Sequence, residues 1–238
     1  MNPTDIVRRD KQLDGSFWRR FLLSVPGQML ANPPIYRLHE EMLMHKDHRV
    51  LEIGCGAGSR LLRLDNRVRF ERSSAAGVEP SARLARRAGR AFRTNARPLS
   101  SVLADPEALP FADASFDMVF CDDLLRFLDV RGAQAALREA ARVLRPGSLL
   151  LAWELAPPDG RFAWWQRFWL RGYCGRIASE KSLMSLAERS GFAYTREAEL
   201  RPFFWPPVPR ASFIAGTVPP GWRYEGGLLY PPSGEAAP

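Results

Sequence analysis

The residues best suited to chemistry stand at the ends of short apolar runs. Val50-Leu51-Glu52-Ile53 leads directly into Gly54-Cys55-Gly56-Ala57-Gly58, so an acid and three glycines fall in one short segment. Glycine reaches positive φ without strain, and its missing Cβ lets backbone approach a ligand closely. The spacing is G-x-G-x-G; a dinucleotide fingerprint would need its third glycine at the position of Ser59. That later glycine accompanies a helix N-terminus aimed at a pyrophosphate. A purely structural glycine turn stays open as an alternative. Glu79 closes Gly77-Val78-Glu79 and is followed by Pro80-Ser81. A carboxylate there can accept both hydroxyls of a ribose, or can simply precede a helix whose first turn holds Pro80. Asp105 follows Ala104, and can accept from the exocyclic amine of adenine while Leu109 or Phe111 flanks the ring. Asp122 and Asp123 follow Cys121, a place where a carboxylate would meet a cationic amine or a sulfonium.

These positions need a scaffold that brings strand ends together. From Arg49 onward, short apolar runs alternate with longer amphipathic ones, the pattern of βαβ units and a parallel sheet. Strands are predicted over residues 50–53, 76–79, 102–104, 118–121 and 149–154, with helices over 81–95 and 132–143. Arg145-Pro146-Gly147 is expected to turn the chain into the fifth strand. A helix over 180–190 ending at Gly191, then strands over 193–198 and 212–216, would complete seven strands. The fold class is therefore α/β: a Rossmann-like, seven-stranded, mostly parallel sheet with helices on both faces. Residues 1–47 are expected to form an N-terminal helical cap, with Phe17, Trp18, Phe21 and Leu22 at helical spacing. The main domain would run from 48 to 217 with an aromatic-rich insertion at 155–178, followed by an irregular Pro/Gly-rich tail at 218–238.

Composition restricts the setting. With 46% hydrophobic and 25% charged residues, the chain has a globular balance. It has no run of the roughly 18–20 apolar residues that a membrane-spanning helix needs. Met1-Asn2-Pro3-Thr4-Asp5 lacks the apolar core of a secretory signal. Cys55, Cys121 and Cys174 follow no zinc-type spacing, so no metal site is expected and a cytoplasmic location is. The net charge of +8 is concentrated: residues 60–97 hold 11 arginines against Asp65, Glu71 and Glu79, which accounts for all of it (11 − 3 = 8). On a helix from Ser81, Arg83, Arg86, Arg87, Arg90, Arg93 and Arg97 share one face opposite Leu84, Ala88, Ala91 and Phe92. That face reads as solvated, or as a peripheral contact for an acidic protein or anionic membrane.

Taken in order, Val50–Gly58, Gly77–Ser81, Ala104–Phe111, Ser115–Phe120 and Arg142–Ser148 resemble class I S-adenosylmethionine-dependent methyltransferases. The likeness is greatest to the small-molecule branch that includes ubiquinone and menaquinone biosynthesis enzymes. It covers about residues 48–154 strongly and 180–217 weakly. The resemblance implies that Glu52, Gly54, Gly56 and Gly58 line the methionine end of S-adenosylmethionine. It further implies that Glu79 holds the ribose, Asp105 the adenine, and that Asp122 lies near the methionine moiety. Two departures stand out. Pro106 has no N–H to give the adenine. Where relatives often carry His after the fourth strand, this chain has Arg126, which is no base at neutral pH.

Arg126 could bind an anionic group on the acceptor, or pair with Asp122, Asp123 or Asp129. The histidines His39, His45 and His48 precede the first strand and read as exposed helix-end residues rather than catalysts. Tyr36 is the other candidate catalytic residue, because N-terminal caps in the resembled family often close over the cofactor. Methyl transfer is an in-line displacement that depends on alignment and exclusion of water. The aromatic cluster Trp153, Phe162, Trp164, Trp165, Phe168, Trp169 and Tyr173, with Phe203, Phe204 and Trp205, has three readings. It could be core or homodimer contact, a lid over a hydrophobic acceptor pocket, or a membrane-facing patch. The expected partner is a small-molecule acceptor. A nucleic-acid methyltransferase is disfavoured, because Asp122-Asp123 does not form the Asn/Asp-Pro-Pro-aromatic sequence of base-amino methylation. A non-catalytic cofactor-binding scaffold and a nicotinamide dehydrogenase remain alternatives.

Overall fold

The computed structural model describes residues 6, 44–71, 74–95, 99–170, 176, 178–198, 210–225 and 228–230. Seven strands form one sheet: β1 Val50–Ile53, β2 Ala75–Glu79, β3 Ser100–Leu103, β4 Phe116–Asp122, β5 Leu144–Leu155, β6 Tyr194–Glu197 and β7 Arg210–Gly216. Their spatial order is β3-β2-β1-β4-β5-β7-β6. Neighbours among β1 to β5 are parallel, whereas β7 runs antiparallel to both β5 and β6. Every residue of β1 and β2 is buried, as central parallel strands covered on both faces require.

The helices are α1 Ser59–Val68, α2 Ala82–Arg93, α3 Val130–Val143, α4 Ala163–Leu170 and α5 Glu180–Glu188. Alternation along the strands divides the core into two layers. On one side Leu51, Ile53, Val119, Leu150 and Ala152 pack with Leu137 of α3 and Leu186 of α5. On the other, Val50, Met118, Phe120 and Leu151 pack with Leu61 and Leu64 of α1 and Phe92 of α2. Local signals set the helix starts: Ser81 accepts from Leu84 N at 3.4 Å, Asp129 from Gly132 N at 2.7 Å, and Ser179 from Ser182 N at 3.3 Å. Helix α1 begins differently, on Gly58 at φ 79° with no side-chain cap.

All seven expected strands are present, and helices do cover both faces. Two details differ from expectation. Arg145-Pro146-Gly147 lies inside β5 rather than before it. The chain passes from α3 straight into the strand, and the register jumps from Phe116–Leu144 to Met118–Leu149. The extra residues are absorbed as an irregularity, with Gly147 at φ 83°. In the segment expected to be irregular, β8 Arg223–Glu225 pairs antiparallel with β9 Leu228–Tyr230. The intervening Gly-Gly dipeptide is itself a hairpin signal, which the high Pro/Gly content of the tail obscured. Of the expected cap, only Ile6 and residues 44–47 are among those described, so Tyr36 and His39 lie outside them, as do Cys174, Tyr173, Phe203, Phe204 and Trp205.

Candidate active site at the carboxyl ends of the central strands

The strand order sets the order of the acids. Asp105 and the glycine loop follow β3 and β1, and Glu79 and Asp122 end β2 and β4, so all four stand at the carboxyl ends of neighbouring strands. Ligands in open parallel sheets bind beyond these ends. The loop itself is held by backbone: Gly54 N and Cys55 N both donate to Val78 O, at 2.8 and 3.0 Å. Gly54, Gly56 and Gly58 take φ values of 77°, 58° and 79°, a region costly for residues with a Cβ. The three have different surroundings. A Cβ on Gly54 would stand 3.1 Å from Leu124 and one on Gly58 only 2.4 Å from the Phe92 ring, whereas one on Gly56 would meet nothing within 4 Å. Gly54 and Gly58 therefore permit packing, and Gly56 borders open space.

Glu79 is wholly buried. Its Oε2 accepts from Gly56 N at 2.8 Å and its Oε1 from Ser81 N at 3.0 Å, so one carboxylate ties the glycine loop to the start of α2. Glu52 is also buried, and its Oε1 accepts from Arg60 Nη1 at 2.7 Å. The other guanidinium nitrogen of Arg60 pairs with Asp122 Oδ2. Arg60 on α1 thus joins the acid inside β1 to the acid ending β4. Sequence reasoning assigned it no role, because it was counted as one more arginine of the basic block. Its position two residues after Gly58, on the first turn of α1, was the available signal. Burial pushes the Glu52 carboxyl above its ordinary range, with Arg60 and Arg63 opposing that rise. Glu52 Oε2 is buried without a hydrogen-bond partner.

Asp105 lies half-buried, and its Oδ1 accepts from Glu107 N at 3.0 Å. The loop after it is fastened to α3: Leu109 N donates to Glu139 Oε2 at 2.7 Å, and Arg142 donates to Phe111 O and Leu109 O at 2.8 and 3.0 Å. The Arg142 hydrogen bond holds the Glu139 carboxyl below its usual range.

Arg126 is buried, on the turn Leu125–Phe127. Of the partners considered for it, Asp123 is the one used: Nε donates to Oδ1 at 2.8 Å and Nη2 to Oδ2 at 3.1 Å. Asp129 instead caps α3. Asp123 is half-buried, and the desolvation that would raise its carboxyl is outweighed by Arg126 and Arg210, which hold it low. Beside it stands a second residue that sequence reasoning passed over, Glu154 near the end of β5. Its Oε1 accepts from Leu124 N and Leu125 N at 2.8 and 2.6 Å, while Oε2 is buried without a partner. Burial, together with the Asp123 charge, pushes Glu154 up to about 7. The signal was an acid closing the apolar run Leu149–Trp153. His45 and His48 precede β1, at the amino ends of the strands, whereas these acids stand at the carboxyl ends.

The donor set fits an amino-acid-bearing nucleoside. Buried Glu52 with an uncommitted oxygen suits an ammonium, Arg60 suits a carboxylate, and the open side of Gly56 leaves room for a ligand at the glycine loop.

Residues 50–147 match the family described as "Methyltransferase domain". The chain is 48% identical over 63 residues to demethylmenaquinone methyltransferase of Mycobacterium bovis, a match spanning 26% of each chain. It is 32% identical over 114 residues to methyltransferase GfsG of Streptomyces halstedii, covering 48% of this chain and 40% of that one. These matches therefore span well under two thirds of the relatives' own length. In fold, the chain is similar to a SAM-dependent methyltransferase from Aquifex aeolicus, with a TM-score of 0.61, 15% identity, and 91% and 97% of the two chains covered. The methyltransferase-domain match over residues 50–147 lies on the strands and loops that carry the glycine turn and the strand-end acids, and the seven-stranded sheet around it has the fold of the solved methyltransferase.

Proposed function

We propose that this protein transfers a methyl group from S-adenosylmethionine to a small hydrophobic or aromatic acceptor. The observation that carries this reading is the chain of acids across the strand ends. Glu79 is clamped between Gly56 N and Ser81 N, and Glu52 and Asp122 are joined through Arg60. In this reading Glu79 receives the ribose hydroxyls, Asp105 the adenine amine, and Glu52, Arg60 and Asp122 the charged ends of the methionine moiety. The glycines at 54, 56 and 58 give the backbone its approach. When bound, the cofactor supplies an electrophilic methyl group on a cationic sulfur.

The protein's own residues align and exclude water. The ion pairs of Arg60 keep Glu52 and Asp122 in fixed positions, and the Arg142 bonds hold the 105–113 loop closed along α3. Arg126, committed to Asp123, serves as a positioning group for the turn after β4 rather than as a base. Residues 1–47 would cap the site, with Tyr36 as a hydroxyl-bearing candidate, and residues 48–217 would form the transferase unit. An apolar acceptor is favoured by α4, where Trp165 stacks on Phe168 (6.0 Å between ring centroids) and Trp164 and Phe168 are exposed. Among the described residues no helix is long and apolar enough to cross a membrane.

Calorimetric titration with S-adenosylmethionine tests the reading. Glu79→Ala is expected to lose about a hundredfold in affinity, on the order of two charge-assisted hydrogen bonds. Unchanged affinity in that variant, or uptake of NAD by the wild type in place of the sulfonium, would overturn it.

A further inference from the structure

Residues 60–97 carry the whole net charge of the chain, 11 arginines against three acids, and the fold sorts the two signs. Asp65 and Glu79 are fully buried. Asp65 accepts from Phe70 N at 3.1 Å and Asn95 Nδ2 at 2.6 Å, and Glu79 is committed to Gly56 N and Ser81 N. The third acid, Glu71, is exposed but paired with Lys46 at 3.5 Å. On α2, by contrast, Arg83, Arg86, Arg87, Arg90 and Arg93 are all exposed, and the helix contains no acid. Helical geometry spreads these five over an arc of roughly 120° and a length of about 15 Å. The Asn95–Asp65 bond ties the end of α2 to α1, and at the end of α1 Arg67 and Arg69 are exposed as well.

Arranged in this way, the arginines repel one another. Arg86 and Arg90 stand at i,i+4, and Arg90 stands at i,i+3 from both Arg87 and Arg93, spacings at which like charges destabilise a helix. An anionic partner removes that cost. The chemistry of the face selects the partner. The centre of a protein interface is depleted in charge and rich in apolar anchors, whereas this arc is flanked only by half-buried Ala82, Gly89 and Ala91. Single-stranded nucleic acid is gripped by aromatic stacking, and the one aromatic residue of α2, Phe92, is buried on the inner face. A leaflet of anionic lipid needs neither feature, because its headgroups can gather beneath any flat array of cations. One apolar side chain stands ready beside the helix. Ser101 on edge strand β3 donates from Oγ to Ala85 O at 3.0 Å, and Leu103, on the same side of that strand, is 58% exposed.

We propose that the outer face of α2 docks the protein on an anionic lipid surface through these arginines. The contact is electrostatic. The apolar face of α2, with Leu84, Ala88 and Phe92, is already spent on the core, so the helix cannot insert as an amphipathic anchor does. On the transferase reading above, docking would keep the enzyme where apolar acceptors collect; the docking itself does not depend on that reading.

Sedimentation of the whole protein with lipid vesicles tests the assignment, comparing phosphatidylcholine alone with phosphatidylcholine containing one-third phosphatidylserine. At low salt the anionic vesicles are expected to bind at least tenfold more tightly than the neutral ones. Raising salt to about 1 M, which shortens the reach of the field to about 3 Å, should abolish the difference. Each arginine near an anionic leaflet contributes about fivefold, so Arg86→Ser with Arg90→Ser should weaken binding about twentyfold. Arg86→Lys with Arg90→Lys keeps the charge and should keep the binding. Arg131→Ser with Arg138→Ser removes the same charge from exposed positions of α3, which packs in the other core layer, and should weaken binding less than about threefold. Thermal unfolding of each variant checks that the fold is intact. Equal binding to the two kinds of vesicle, or an equal loss in the α3 variant, overturns the proposal. So does preferential capture of a short duplex RNA or of polyglutamate at matched charge.

Discussion

Buried carboxylates on the two halves of the sheet are held in different ways. At the end of β2, Glu79 has both oxygens bonded to main-chain N–H groups, one in the glycine loop and one at the start of α2. Near the end of β5, Glu154 has one oxygen bonded twice to main chain and the other left bare beside the Asp123–Arg126 pair. The first arrangement is closed and local: its partners lie within about one βαβ unit. The second is open and assembled between β5 and the turn after β4. A satisfied carboxylate fixes backbone; an unsatisfied one is a reserve of binding energy, and in its charged form a burden on the fold.

The comparison can be broken first at the closed half. Gly58→Ala places a Cβ against the Phe92 ring at a left-handed φ of 79°, combining overpacking with backbone strain. A loss of about 4 kcal/mol is expected from those two costs, measured by urea unfolding. A loss below about 1 kcal/mol would mean that the loop is not the rigid element described.

A smaller effect of opposite sign is expected at the open half. Because the folded-state value of Glu154 is raised from 4.5 to about 7, its contribution to stability is fully present below pH 4.5. That contribution is lost as pH rises to about 7. Glu154→Gln does not titrate, so relative to wild type it should gain on the order of 3 kcal/mol across that window and nothing further above it. Thermal unfolding of the two proteins at pH 4.5 and pH 8 measures the difference. A gap independent of pH would show that Glu154 does not carry the buried charge.

The smallest expected effect serves as a control. Arg86 and Arg90 are exposed on the outer face of α2, whose inner face buries Leu84, Ala88 and Phe92. Exchanging both for Ser should move stability by no more than about 0.5 kcal/mol each and leave cofactor affinity intact, by the same titration used for Glu79. A tenfold loss of affinity would couple this face to the site and blur the distinction between the halves.

Much of the fold was legible because its signals are short-range. The apolar runs ending in Ile53, Glu79 and Cys121 marked strands by length and residue type, Ser81 marked a helix start, and the Gly54–Gly58 spacing marked a tight loop. Element edges were less legible. Arg145-Pro146-Gly147 was expected to turn the chain into the fifth strand, but it lies inside β5, a placement that depended on pairing with β4.

The sequence by itself determined the glycine loop, the alternation of strands and helices, and the acids at strand ends, since each depends on φ preference, periodicity or a single turn. Only the tertiary structure decided that Arg60 would bridge Glu52 to Asp122, that Arg126 would choose Asp123 among its acidic neighbours, and that Glu154 would receive the N–H groups of residues 30 and 29 positions away. These are choices among partners distant along the chain. They are settled by strand order and register, which bring the carboxyl ends of β1, β4 and β5 side by side.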